Sequence, residues 1–276
     1  MDAVVADMGG RRLTDAELQM IPADNADYII HNAVCELKIF EEDPLQKKER
    51  QDQIAAYFRE NFLIAREVDV DIKHLNDDAK RGFREIVGKR IQKAAKKAGR
   101  QIRETKKALN RNLDFGVFIA VNNGYTSLPH DEFDNLVLTH ARHATSQIDF
   151  ILCTTVEYHA GEWDSYVFCS SECYPTRAGL DYPHCAAYKE AVGARFNDAM
   201  TEMMRSLVEK PDLSESLAPV ADIRFERDGV RFIRQAPDSD FKMKKYIQEQ
   251  ATKKSEQKKE CRERGGETTN GSGIQR

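Results

Sequence analysis

The amino-acid sequence predicts a mixed α/β fold, and three observations carry that prediction. Residues 26–30 and 34–40 are short apolar stretches separated by little more than His31-Asn32, which reads as an antiparallel hairpin on a tight turn. Phe83, Val87, Ile91, Ala94, Ala98, Ile102, Thr105 and Leu109 follow at spacings of three and four, one stripe on a long helix. Residues 114–121 (DFGVFIAV) and 148–155 (IDFILCTT) are almost wholly apolar, as strands buried on both faces are, and 131–144 between them has helical periodicity. Strand, helix and strand in that order argue for a parallel βαβ unit.

The remaining elements follow in chain order. Residues 1–12 read as a flexible leader before a single domain over 13–240. Thr14-Asp15-Ala16-Glu17 is a capping box that opens a short helix ended by Pro22. Asp43-Pro44 supplies an N-cap and a first-turn proline for a helix running to about Phe62. Ala65 to Ile72 reads as a short strand, and Asn122-Asn123-Gly124 as a plain turn. Residues 165–170 add a strand, 184–209 a long helix, and 224–234 a small hairpin around Asp228-Gly229. The charged residues 241–276 have almost nothing to bury and read as mostly disordered, with some helix at their start.

Composition narrows the function classes. No apolar run approaches the roughly 20 residues of a membrane-spanning helix. There is no basic-then-apolar leader, and six scattered cysteines read as reduced thiols, so a cytoplasmic protein is expected. The net charge of −4 conceals an uneven division. Residues 80–111 hold thirteen Lys or Arg against Glu85 and Glu104, a balance of +11, while the remaining residues balance at −15. Ordinary solvated helix faces mix signs. Lys89, Arg90, Lys93, Lys96, Lys97, Arg100, Arg103, Lys106 and Lys107 are nearly unopposed, which suits a phosphate backbone but reads no bases.

The hairpin carries the candidate chemistry. With His31-Asn32 as the turn, Asp27 faces Glu36; with Asn32-Ala33 as the turn, Asp27 faces Lys38. In either register Asp27, Glu36 and Lys38 share one face, because side chains alternate with period two. Tyr28, Ile30, Cys35, Leu37 and Ile39 take the other face. Opposed carboxylates repel unless a cation lies between them, and Mg²⁺ needs only one or two carboxylates beside water and phosphate oxygens. A lysine two residues along the same strand can position water and offset phosphoryl charge.

Asp27 at a strand start, a short turn, and Glu36-Leu37-Lys38 on the next strand resemble the PD-(D/E)XK nuclease superfamily. The resemblance implies a restriction-endonuclease-like core of helix, three-stranded antiparallel meander, helix and further strand, spanning residues 14–121. It implies that the third meander strand is 65–72, with 122–240 a C-terminal extension. It implies Asp27, Glu36 and the Leu37 carbonyl as ligands of Mg²⁺ (or Mn²⁺), Glu17 as an extra acidic ligand from the first helix, and Lys38 assisting water. The implied function is hydrolysis of phosphodiester bonds in nucleic acid, DNA ahead of RNA, in defence, restriction or repair, with a homodimer left open.

Other constellations compete. Asp69, Asp71 and Lys73 form a second acidic-then-lysine strand, and Cys169, Cys173, His184 and Cys185 form an irregular candidate zinc set. His140 and His143 lack an acidic partner and read as core or cap residues. The runner-up function is a non-catalytic nucleic-acid-binding or assembly protein that retains the nuclease fold.

Overall fold

The computed structural model describes residues 1–21, 24–62, 66–109, 112–160, 165–209 and 222–235. The chain divides into two units, residues 1–159 with 167–237 and residues 160–166 with 238–276. The second unit is described only at Ala160, Ser165 and Tyr166, so the expected disordered tail lies outside the described residues.

In the first unit the hairpin strands are β2 (Tyr28–Ile30) and β3 (Ala33–Phe40). Their pairs are Ile30 with Ala33, Ile29 with Val34 and Tyr28 with Cys35, the register of a His31-Asn32 turn. His31 sits at φ 53°, the left-handed region such turns require. The leader is not loose. Asp2–Asp7 form helix α1 and Gly10–Arg12 form β1, which pairs antiparallel with β2. The reason is apolar spacing: Val4, Val5 and Met8 are buried on the sheet beside Tyr28 and Ile30. The meander is therefore β1-β2-β3, with α2 (Asp15–Met20) lying between its first two strands.

After β3, the Asp43 side chain caps a 3₁₀ turn at Pro44–Gln46, and α3 follows at Lys48–Asn61. The strand expected at 65–72 shrinks to β4 (Glu67–Asp69) and does not join the meander. It pairs with β9 (Val230–Arg234), which pairs antiparallel with β8 (Ile223–Arg227), in a separate three-stranded sheet. The predicted turn at Asp228-Gly229 has both residues at positive φ. Phe225 and Phe232 stack there at 5.1 Å, and Phe58 of α3 meets Phe232 edge-on at 6.3 Å. This aromatic contact packs the small sheet on α3, and β4 joins that sheet through its pairing with β9.

The expected continuous basic helix is two helices, α4 (Asp77–Val87) and α5 (Lys89–Leu109). Gly88 separates them where a Cβ would meet the Arg84 carbonyl at 2.6 Å and Leu136 at 2.8 Å. β5 (Phe115–Asn122) lies parallel to β3, and β6 (Phe150–Ala160) parallel to β5 across α6 (His130–Ala144). β7 (Ser165–Pro175), longer than the sequence suggests, pairs with β6 and completes the order β1-β2-β3-β5-β6-β7.

The sheet separates two cores. Val34, Phe40, Phe118 and Ala120 face Phe83, Ile91, Ala95, Ala98, Ile102, Phe133 and Val137 of α4, α5 and α6. Ala33, Cys35, Val117 and Ile119 face α1 and Tyr188, Ala191 and Val192 of α7 (Cys185–Glu209). β5 is thus buried on both faces, as its composition requires. One expectation about cysteine fails. Cys173 and Cys185 are joined in a disulfide, because β7 and the start of α7 bring their Cα atoms to 5.7 Å.

Gly116 is the tightest point of the central sheet. A Cβ there would stand 1.9 Å from the Gln147 carbonyl oxygen, and its N–H donates to Asp149 Oδ2 at 2.8 Å. Gly116→Ala is expected to lower stability by about 2–3 kcal/mol. Thermal unfolding checks it, and an unchanged melting temperature contradicts this packing.

Candidate functional site

The turn register pairs Tyr28 with Cys35, and just before β2 the Asp27 N–H donates to the same Cys35 carbonyl at 3.1 Å, one residue out of the ladder, with the Asp27 carboxylate beside Glu36. Beyond Asp27 the edge of β3 is open to side chains. The Leu37 N–H donates there to Asp27 Oδ2 at 2.8 Å. A strand residue's N–H and C=O point to the same side, so the Leu37 carbonyl is directed to the Asp27 side as well. Glu36 and Lys38 alternate with Cys35 and Leu37 and therefore lie on the sheet face covered by α5.

Glu36 is fully buried. Its Oε1 accepts from Lys38 Nζ, whose side chain is 25% exposed. Its Oε2 is buried and has no hydrogen-bond partner among the described residues. Burial pushes the Glu36 carboxyl up to about 8; the hydrogen bond from Lys38 opposes that rise and the charge of Asp27 adds to it. A buried carboxylate with a second carboxylate beside it and one oxygen unpartnered is the donor set a hard divalent cation requires. Asp27, Glu36 and the Leu37 carbonyl are the groups that could hold such an ion. They supply two carboxylates, and among the described residues there is no group of three or more His, Cys, Asp or Glu able to hold a metal.

Glu17 is drawn elsewhere. It completes the capping box with Thr14, and Arg11 donates to its two oxygens at 2.7 and 2.8 Å. Those Arg11 hydrogen bonds hold its carboxyl at about 2. The competing strand also dissolves: Asp69 ends β4, while Asp71 caps the 3₁₀ turn that contains Lys73. The disulfide takes two of the four zinc candidates, Cys173 and Cys185, and leaves Cys169 half-buried. His140 is half-buried on α6, and burial lowers its pKa.

The nine basic residues lie on the outer faces of α5, exposed or half-buried. Arg90 reaches Glu42, Arg100 pairs with Asp24, Arg103 with Glu104, and Lys106 lies 3.8 Å from Asp149. Lys89, Lys93, Lys96, Lys97 and Lys107 have no ion-pair partner among the described residues. Those five span about 27 Å of helix at 1.5 Å per residue, long enough to follow several phosphates.

Periodicity alone missed the link between helix and hairpin. Thr105 fits the apolar stripe and Gln101 lies beside it, yet both make buried polar contacts. Thr105 Oγ1 accepts from the Ala26 N–H at 2.9 Å, and Gln101 Nε2 donates to the Asn25 carbonyl at 2.5 Å. Two buried polar residues four apart on an inner helix face were the signal available.

The raised pKa of Glu36 has a thermodynamic consequence. The folded metal-free protein holds a proton up to about pH 8 that the unfolded chain releases near 4.5. This contribution to stability is fully present below pH 4.5 and is lost as pH rises toward 8, by about 3–5 kcal/mol. In chelator, the melting temperature of the parent protein should fall relative to Glu36→Gln between pH 5 and 8. Parallel profiles for the two proteins would contradict a protonated Glu36.

With this geometry in hand, no protein-family model, curated protein or solved structure matches the chain.

Proposed function

We propose that the chain is a nuclease of the PD-(D/E)XK type that hydrolyses phosphodiester bonds in DNA with Mg²⁺ or Mn²⁺. The observation that carries this reading is the hairpin, which brings the Asp27 carboxylate to the Leu37 N–H beside Glu36, with Lys38 on the Glu36 face of β3, beneath a helix with five lysines that have no ion-pair partner among the described residues. The order of elements supports it: helix α1, antiparallel meander β1-β2-β3, helix α5, then β5 parallel to β3. In this alignment α2 interrupts the meander and α3, β4 and α4 are inserted before α5.

The division of labour follows from the contacts. A divalent cation held there would supply positive charge to polarise the scissile phosphate and acidify water. Asp27 and Glu36 would hold it, and the Leu37 N–H fixes the Asp27 carboxylate through Oδ2. Lys38 leaves Glu36 to orient the attacking water and to offset the charge that grows on the phosphoryl oxygens. The attacking oxygen forms a bond to phosphorus while the bond to the leaving sugar oxygen breaks. The α5 lysines hold the backbone through charge alone, so binding is expected to weaken steeply with salt and to be indifferent to sequence.

One observation favours a second reading. The Lys38 ammonium is paired with Glu36, which withdraws it from water and suits a nucleic-acid-binding protein that retains the fold without cleaving. Cleavage separates the two. The purified protein with Mg²⁺ or Mn²⁺ is expected to cut DNA, and Lys38→Ala to lose at least about 100-fold in rate while still binding DNA. Absence of cleavage by the parent protein, with binding intact, supports the second reading; equal cleavage by the variant removes Lys38 from the mechanism.

A further inference from the structure

The Asn25–Ala26 peptide group, one before the peptide that joins Ala26 to Asp27, is held at both ends by one helix. Its carbonyl, that of Asn25, accepts from Gln101 Nε2, and its N–H, that of Ala26, donates to Thr105 Oγ1. Gln101 and Thr105 are four residues apart on α5 and so stand one turn above the other. Both are buried, Gln101 at 7% exposure and Thr105 at 0%, as is Ala26 at 0%. The residue next to Gln101, Arg100, pairs with Asp24. Three consecutive residues leading into Asp27 are thus fastened to the helix that carries the unpaired lysines.

A buried peptide group needs both its polar atoms satisfied, and here strand pairing cannot do it, because β2 begins only at Tyr28. The clamp sets where the chain enters β2, and hence where the Asp27 carboxylate stands relative to Glu36. We infer that Gln101 and Thr105 are positioning residues for the Asp27–Glu36 cation site, acting through the Asn25–Ala26 peptide; this rests on the metal-site reading above. Neither side chain needs to touch the ion. Their role is that of the outer groups of metal centres, whose loss shifts affinity while leaving the ligands in place.

The test is calorimetric titration of the full chain with Mn²⁺, with melting temperature followed in parallel. Thr105→Val keeps the shape of the side chain and removes the acceptor; it is expected to weaken Mn²⁺ binding about tenfold or more. Thr105→Ser keeps the hydroxyl and loses a methyl group; it is expected to bind within about threefold of the parent protein. Gln101→Leu provides a second route to the same result should Thr105→Val fail to fold. Mn²⁺ affinity unchanged in Thr105→Val or Gln101→Leu, while Asp27→Asn abolishes binding, overturns the inference and spares the site. Equal weakening in Thr105→Ser and Thr105→Val assigns Thr105 a packing role and also overturns it. A parent protein with no Mn²⁺ site overturns the metal reading itself.

Discussion

A two-residue turn at His31 and Asn32 determines which side chains meet. With that turn, Tyr28 stands opposite Cys35, the Asp27 carboxylate reaches the Leu37 N–H beside Glu36, and the hydrophobic members of both strands are sorted to the correct cores. A slip of one residue would send Cys35 to the α5 face and Glu36 to the α1 face, so burial on both sides enforces the register. The cost of that arrangement is a carboxylate in a dry interior, with its proton retained to an unusually high pH. Burying Glu36 unpaired would be unfavourable on its own; the hydrogen bond from Lys38 offsets part of that cost, and the nearby Asp27 adds to it.

The layers around the hairpin divide the remaining work. α5 presents alanine to the sheet at Ala95 and Ala98, which lets it lie close, and Gly99 makes room for Thr145 after α6. Its inner face reaches the Asn25–Ala26 peptide, while its outer face exposes lysine. One helix consequently borders both the Asp27–Glu36 pair proposed to hold a cation and the lysine-rich surface. At the other end of the same strands, Asp43 gathers the loops after β3 and β5. It accepts from the N–H groups of Leu45 and Ser127 and from the Thr126 hydroxyl, with Arg234 of β9 donating to the carbonyls of Thr126 and Ser127. The small second sheet is thereby fastened beside the C-terminal ends of β3 and β5.

Much of the fold was legible because its signals are local. The hairpin, the buried strand at 115–122, the βαβ unit after it, the long C-terminal helix and the Asp228-Gly229 turn each declare themselves by spacing or by turn chemistry. The misreadings share one cause: short segments whose partners are distant in sequence. Gly10–Arg12 is a strand because β2 offers an edge, and Glu67–Asp69 leaves the meander because β9, more than 150 residues later, offers another. Gly88 breaks the basic helix because α6 crosses there, which periodicity cannot register. At the site, the alternation of Asp27, Glu36 and Lys38 was readable, whereas the clamp by Gln101 and Thr105 depends on a helix packing against a loop some eighty residues earlier. Among the described residues no helix is long and apolar enough to cross a membrane, as composition indicates.

The central claim is that Asp27 and Glu36 hold a divalent cation. Anomalous diffraction from crystals soaked in Mn²⁺ tests it most directly. The account predicts a single strong peak between the two carboxylates, at about 2.2 Å from an oxygen of each, with the Leu37 carbonyl turned toward it. A peak elsewhere, or none beside Glu36 at a pH above 8, would contradict it.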